Sequence, residues 1–506
     1  MNAFVERHQA SISSTLSCFD RVVVTGTLPD ICHPRAMASF LDYHKVRLFE
    51  FPRWAEPLRT ELRENAERIA AEAGLQIEFI RKLKAFRKEA RIKEILAERG
   101  DHPGLVHIFS AMEACPSYRG WHDKSTHRTF LKPTSGKCLH YYFYFIDEQF
   151  GLCYVRVPTW APFRLQVYFN GHSWLARQLR QAAIPFEMLD NAFAFIADPG
   201  KAQELADTLS ARMLHERLAG WAQRFCPVLR HFRSGYHWSF MQVEYATDVV
   251  FRRQADFQPL YEKIVRTAVH IIKAEHVATF LGRKLTGAYQ GELGNDFSTR
   301  IQGTRIRHHM GPASIKLYDK FALIARVECT ANDVSFFKHH RYVEQRNGKR
   351  VFKLAPLRKS IYSLKDLRQV MRAANDRYLA FMACLDNPDA GHKAIAKMAA
   401  PAKTKGGRSF RGFNLFLNPD YQLFLTLGRG QWAISGFRAA DLRAHIQGLS
   451  PGRSSYILKR LRTHGLIKKV AHTYKYYLTT LGRRVLVTAL VIREYFVQPT
   501  LVRNAL

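Results

Sequence analysis

Residues 437–479 place the tightest constraint on what this chain can become. Phe437-Arg-Ala-Ala-Asp-Leu-Arg-Ala-His-Ile446 and Arg453-Ser-Ser-Tyr-Ile-Leu-Lys-Arg-Leu-Arg-Thr-His-Gly465 both carry apolar residues at helical spacing. These are Leu442 and Ile446 in the first, and Ile457, Leu458 and Leu461 in the second. Gly448, Ser450, Pro451 and Gly452 form a turn between them, and Gly465 is placed to end the second helix in left-handed backbone. An alternating run follows, bent at His472-Thr473, which predicts a short hairpin. On such a scaffold Arg453, Ser454, Ser455, Tyr456, Lys459, Arg460 and Arg462 are expected to face outward, with Lys468, Lys469 and Lys475 on the hairpin.

That order of helix, turn, helix and hairpin is the pattern of a winged helix-turn-helix. The second helix would enter a major groove while the hairpin cations meet phosphates. Leu461-Arg-Thr-His-Gly-Leu-Ile467, followed by Tyr477-Leu-Thr479 and Gly482, resembles bacterial winged-helix regulators of the MarR type, over only the C-terminal part of the chain. The resemblance implies DNA binding. The competing use of such a domain is protein contact or dimer packing, so a dimer stays among the alternatives.

Charge points the same way. The 506 residues contain 77 Lys+Arg against 43 Asp+Glu, a formal net charge of +34, distributed along the chain. A surplus that large seeks a polyanion, and DNA is favoured with RNA as the alternative. No run of eighteen or more apolar residues is present and the N-terminus lacks a signal-peptide core, so no membrane partner is expected. Cys18, Cys32, Cys115, Cys138, Cys153, Cys226, Cys329 and Cys384 are scattered without a C-x-x-C pair. They read as reduced cysteines of a cytoplasmic, nucleoid-associated protein.

The pattern along the rest predicts an α+β protein, a mixed sheet with flanking helices. The expected divisions are an α+β nucleic-acid-binding region at 1–215, an α+β core at 216–385, a basic linker at 386–412 and the winged-helix domain at 413–506. Residues 138–146 and 152–157 are expected to form a β-hairpin, and the polar, basic stretch 118–137 an exposed loop. Aromatic residues alternate with cations at Trp121-His122 and Phe336-Phe-Lys-His-His-Arg341, a composition suited to stacking single-stranded nucleic acid, although such runs more often serve a core.

Chemistry concentrates in two pieces. In Trp238–Phe251, read as a strand, Gln242, Glu244 and Asp248 share a face, and strand spacing is taken to bring Glu244 and Asp248 to about 7 Å, near enough to share a divalent cation through water. The alternative pairs them with Arg252 and Arg253. In Gly303–Cys329, Lys316, Tyr318 and Lys320 share one face of a strand, and Arg326 and Glu328 one face of the returning strand. Arg305 and Arg307 precede them as candidate phosphate contacts. Such a set suits phosphoryl transfer: Tyr318 attacks a phosphodiester, Lys320 and Arg326 lower its pKa and neutralise oxygens, and Glu244, Asp248 and Glu328 hold Mg²⁺ or Mn²⁺. Asp20 and Arg21 read as a structural couple, and the adjacent pairs His308-His309 and His339-His340 point to opposite faces of their strands.

Ser314-Ile-Lys-Leu-Tyr-Asp-Lys320 with Arg326-Val-Glu328 resembles the core of rolling-circle replication initiators of plasmids and filamentous phages. The resemblance spans about fifteen residues. It implies a metal-dependent β-sheet nickase with Tyr318 as nucleophile, Glu328 as metal ligand, and Lys320 and Arg326 beside the phosphate. No His-hydrophobic-His triplet accompanies it, and no G-x-x-x-x-G-K-[ST] phosphate loop is present. The chain as a whole resembles a widespread group of bacterial proteins, which implies no activity. The expectation is therefore a mobile-element type DNA-binding enzyme that nicks or joins strands. A non-catalytic MarR-like regulator and an RNA-binding ribonucleoprotein subunit are the alternatives.

Overall fold

A computed structural model describes all residues except 1, 82–84, 286–288, 301–302, 386–395, 405, 415–416, 429–431, 433–435, 471–472 and 492–506. The chain divides into two units, Met1–Ala383 and Cys384–Leu506.

The first unit is built on one sheet. Its strands are β1 (Ile12–Thr27), β2 (Ile77–Phe79), β3 (Gly104–Asp123), β4 (Arg128–Asp147), β5 (Gly151–Pro158), β6 (Leu165–Asn170), β9 (His237–Phe251), β10 (Leu293–Arg300), β11 (Gly303–Met310), β12 (Ala313–Lys320) and β13 (Ile324–Ala331). The hairpin β7 (Phe186–Leu189) and β8 (Ala192–Ile196) stands apart from it. The order across the sheet is β10-β11-β12-β13-β9-β1-β6-β5-β4-β3-β2. Only β2 and β3 run parallel, so the sheet is mixed and the α+β expectation holds. The long β-branched strand β1 lies at its centre, paired to β6 on one side and β9 on the other.

A boundary at residue 215 is therefore incorrect. The sheet continues through it, and residue 215 lies inside the helix Ala211–Phe225. The reason is topological: β1, near the N-terminus, pairs with a strand from each side of the supposed division. The loop expected at 118–137 is also absent. Residues 118–123 and 128–137 continue β3 and β4 as one long hairpin, with Tyr118 opposite Pro133 and Trp121 opposite Phe130. Polar side chains there suggested a loop, but a ribbon exposed on much of its surface needs no apolar alternation.

The two sheet faces differ in kind. One is apolar: Val22, Val24, Val243 and Tyr245 have no solvent exposure. The Phe143 ring stacks on Phe225 at 4.7 Å and Phe145 meets Trp221 edge-on at 5.3 Å, both partners from the helix Ala211–Phe225. The helix that starts at Leu364 closes the same side, where Asn375 donates to the Tyr245 carbonyl at 3.0 Å. The opposite face is tyrosine-rich, apolar around Tyr144, Tyr154 and Phe109 and polar toward β1 and β9. Tyr168, Tyr154 and Tyr144 follow one another across β6, β5 and β4 at 5.3 and 5.2 Å, and Arg21 lies 5.0 Å over the Tyr168 ring.

His308 on β11 is fully buried, its Nδ1 2.7 Å from Asn295 Oδ1 and its Nε2 3.1 Å from the Tyr378 hydroxyl. Burial holds the ring neutral and pushes its pKa down to about 4. The unfolded ring protonates near pH 6.5, so the unfolded state takes up the proton first as pH falls. The contribution of His308 is thus complete above about pH 6.5 and disappears toward pH 4, at a cost of up to about 3 kcal/mol. His308→Gln is expected to flatten the decline in Tm between about pH 7 and 4.5, and an unchanged decline would assign it to other groups.

The second unit contains the helices Ala439–His445 and Pro451–Thr463, then two strands, Ile467–Lys469 and Tyr476–Leu478, which pair with each other. Ser450 caps the second of these helices by accepting from the Arg453 amide, and Gly465 has φ +72° just past its end. Leu442, Leu458 and Leu461 are buried in one cluster, with Ile446 and Ile457 against it. His472 lies outside the described residues, as does the first part of the expected linker, 386–395. The remainder is not a free tether, because Met398 and Phe410 are buried and Met398 belongs to the apolar core of the unit.

Arg453, Ser455, Tyr456, Lys459, Arg462, Lys468 and Lys469 are exposed, and Lys475 is half-buried. Arg460 and Ser454 are corrections to the expected outward set, for both are buried. Arg460 grips Asp420 through two nitrogens at 2.8 and 2.9 Å, donates to the Arg411 and Gly412 carbonyls, and lies 3.8 Å over Phe413. It pins Arg411, Gly412 and Asp420 to the helix and is not available to a ligand. Asp420→Asn is expected to destabilise this unit by about 2 kcal/mol, a loss measurable by urea titration, because it removes a charge-assisted fork.

Candidate functional site

The polar face becomes an ionic network where β12, β13, β9 and β1 meet. In the strand register Tyr318 stands opposite Arg326, and Arg326 opposite Asp248. One row away Lys316 stands opposite Glu328, and in the row beyond it Thr330 stands opposite Glu244. The side-chain alternation of β9 and of the β12–β13 hairpin, readable from sequence, thus brings 244–248 and 316–330 onto one surface. Arg305 and Arg307 on β11 fall opposite Tyr318 and Lys316, extending both rows with half-buried cations.

Asp20 joins from β1, at a register shift between Phe19 and Val22. Its carboxylate accepts from Asn170 at 2.6 Å, from Asn191 at 3.0 and 3.2 Å, and from Arg326 Nη1 at 3.2 Å. Asn170 also caps the helix Gly171–Gln181, and the close approach of that helix to β1 needs a glycine: a Cβ on Gly171 would sit 2.1 Å from the Phe19 carbonyl oxygen. The helix start places His172 against the network. Arg326 Nη2 lies 3.0 Å from His172 Nε2. His172 Nδ1 lies 3.4 Å from Asp20 Oδ1, and its Nε2 lies 3.7 Å from Asp248 Oδ2.

Arg326 is the hub and has no solvent exposure. Its Nε and Nη2 hold both Asp248 oxygens at 2.6 Å, and Nη2 also reaches the Asn191 carbonyl at 2.8 Å. Burial disfavours the Asp248 carboxylate, but Arg326 and His172 outweigh it and bring its pKa down to about 2. Asp20 is held well below the carboxylate range in the same way, burial being overcome by His172, Arg326 and Asn170. Two expectations fail here. Arg326 cannot lie beside a substrate phosphate, because every side of it is enclosed. Asp248 is not an open metal ligand, because its oxygens are taken by a bidentate fork; moreover, four residues of strand rise separate it from Glu244 by about 13 Å, not 7.

The open end of the network is different. Lys316 Nζ bridges Glu244 Oε1 at 3.2 Å and Glu328 Oε1 at 2.5 Å. Tyr318 donates its hydroxyl to Glu328 Oε2 at 2.6 Å. Carboxylate oxygens of Asp20, Glu244 and Glu328 all lie within 4.8 Å of one another, the one such group of potential ligands among the described residues. Hard oxygen donors at that separation suit Mg²⁺ or Mn²⁺. Burial and the neighbouring Glu328 charge raise the Glu244 pKa against the pull of Lys316. The donor set fits a hard divalent ion provided the Lys316 ammonium gives way. Asp20, expected to be a structural partner of Arg21, thus takes the place expected of Asp248.

Tyr318 is also not as expected. Burial and the Glu328 charge push its pKa well up, outweighing Arg326, so the surrounding cations do not activate it. Lys320 donates to Asn191 Oδ1 and stands 4.0 Å from Asp190; burial followed by the charge of Arg326 lowers its pKa. The expected Arg252/Arg253 pairing with the two acids is not what forms: Arg253 forks onto Asp256 at 2.9 Å. Sequence reading missed the participation of Asn170, His172 and Asn191. Only Asn170-Gly171, a cap residue before a helix, left a local signal.

In comparisons with known proteins, no family model, no curated protein and no solved structure matches this chain.

Proposed function

We propose that this protein binds nucleic acid and cleaves a phosphodiester strand at the Asp20–Glu244–Glu328 corner of the sheet, with a divalent cation. The observation that carries the reading is Tyr318 donating to a carboxylate that also belongs to the acidic triad, a nucleophile and its acceptor in hydrogen-bond reach. Asp20, Glu244 and Glu328 would hold Mg²⁺ or Mn²⁺, whose chemistry is to neutralise charge on the scissile phosphate.

The residues of the chain supply the rest. The Tyr318 oxygen forms a bond to phosphorus, the bond from phosphorus to the departing sugar oxygen breaks, the phenolic proton passes to Glu328 Oε2, and the departing sugar oxygen takes up a proton from solvent. Arg305 and Arg307, in register beside Tyr318 and Lys316, meet the phosphates on either side of the cut. Arg326, Asp248 and His172 are positioning residues that fix the strand geometry from below. The exposed cations of the helix Pro451–Thr463 and of the strand Ile467–Lys469 support the winged-helix reading of the second unit, which would select the site on DNA. Among the described residues no helix is long and apolar enough to cross a membrane.

The test is nicking of supercoiled plasmid with Mg²⁺ or Mn²⁺, with covalent protein–DNA product resolved on a denaturing gel. Wild-type protein is expected to give relaxed plasmid and an adduct, and Tyr318→Phe neither. Relaxation that survives Tyr318→Phe would make water the nucleophile. DNA binding without cleavage in any metal would sink the enzymatic reading in favour of a regulator.

A further inference from the structure

The hairpin β14 (Lys338–Glu344) and β15 (Arg350–Pro356) forms its own two-stranded sheet after β13. In its register Tyr342 pairs with Phe352, His340 with Leu354 and Glu344 with Arg350, so these six side chains share one face. That face is open. Tyr342 is 66% exposed, Phe352 57% and Leu354 55%. The Tyr342 and Phe352 rings lie 5.2 Å apart, and His340 stands 5.6 Å from Phe352. The other face holds the hairpin to the body of the unit through Ala355, which is buried.

Charge says what could cover the open face. Between Lys338 and Lys359 the chain carries Lys338, Arg341, Arg346, Lys349, Arg350, Lys353, Arg358 and Lys359 against the single acid Glu344. A groove of about 760 Å³ beside the hairpin is lined by four of those cations, Arg341, Arg350, Arg358 and Lys359, against the two acids Glu344 and Asp366, and Lys359 also pairs with Asp333 at 2.9 Å. An apolar protein partner would find its aromatic seat bordered by a surplus of positive charge. A duplex presents phosphates but keeps its bases stacked inside, leaving the rings nothing to stack on. A single strand offers both: a backbone for the cations and free base faces for the rings.

We propose that the β14–β15 hairpin is a single-stranded nucleic-acid binding site, in which Tyr342 and Phe352 stack on bases and the cationic groove follows the phosphates. This rests on the strand-cleavage reading in one respect, since it supplies that site with its substrate class, a strand held unpaired beside the cut.

The experiment measures fluorescence anisotropy of a labelled oligothymidylate without divalent metal, on the full chain carrying Glu328→Gln to prevent turnover. Tyr342→Ala and Phe352→Ala are each expected to weaken binding about tenfold. The same oligomer as a duplex should change little. Arg350→Ala should reduce the slope of log affinity against log salt by about 0.7. Because the rings are exposed, an unaltered Tm is the control that each variant folds. A labelled oligouridylate, run in parallel, ranks DNA against RNA.

Equal losses on single strand and duplex, or no loss on either, would overturn the hairpin assignment. So would a change from dimer to monomer in Tyr342→Ala seen by light scattering, which would make this face a contact between copies of the chain. The two readings fail separately. Nicking by wild type with hairpin variants that bind normally removes only this site. Hairpin-dependent binding with no nicking by wild type removes only the cleavage chemistry.

Discussion

Arg326→Ala is expected to unfold the first unit well below the melting temperature of the unsubstituted protein, with a loss of about 3–5 kcal/mol. The substitution strips Asp248 of both its hydrogen bonds from Arg326 and Asp20 of one, in a place where neither carboxylate is more than 5% exposed. Neither acid can regain water, and both are held ionised by the arginine they lose. Asp248→Asn should cost less, since the amide keeps an acceptor for the guanidinium and Arg326 retains Asp20. The pair is checked by thermal and urea unfolding of the full chain. If Arg326→Ala loses under 1 kcal/mol, or if Asp248→Asn is the more damaging change, the enclosed fork is not the support described here.

Glu328→Gln is expected to reduce metal-dependent nicking by at least about 10²-fold while leaving the protein folded. Glu328 receives Lys316 on one oxygen and Tyr318 on the other, and it belongs to the acidic triad. The amide preserves volume and one acceptor. It removes the charge that a divalent ion needs and the acceptor basicity that takes the phenolic proton. A readout independent of cleavage is the Tm in saturating Mg²⁺. Binding at about 100 times Kd stabilises a folded state by roughly 2.7 kcal/mol, and that increment should vanish in Glu328→Gln. Wild-type protein whose Tm ignores Mg²⁺ and Mn²⁺ across millimolar concentrations would instead leave Lys316 as the permanent counter-ion of the corner.

Why some of this was legible and some not follows from how each contact is specified. Strand alternation is local, so Lys316, Tyr318, Arg326 and Glu328 could be assigned to one surface from residues 316–328 alone. The apolar stripes of Leu442, Leu458 and Leu461 were equally local and are buried as expected. Asp20 was not legible. It reaches the network through a register shift in β1, and its partners Asn170, Asn191 and Arg326 lie 150, 171 and 306 residues away. Lys316 was placed on the right face, but its bridging of two acids depends on β9, brought alongside only by the sheet order. Arg460 misled for the same reason. On an amphipathic helix a cation reads as solvent-facing until its buried acid, Asp420, 40 residues earlier, is known.

The central position of β1 has a consequence for any shortened form of this protein. A product ending near residue 215 would keep β1 to β6 but lack β9, and so expose one whole edge of a sixteen-residue strand that carries Val22, Val23 and Val24 in a row. Unpaired amide and carbonyl groups on so long and greasy a border invite pairing with another molecule. Truncation there should yield insoluble material, and soluble pieces should be sought by cutting after residue 383, where the chain passes from one self-contained body to the next.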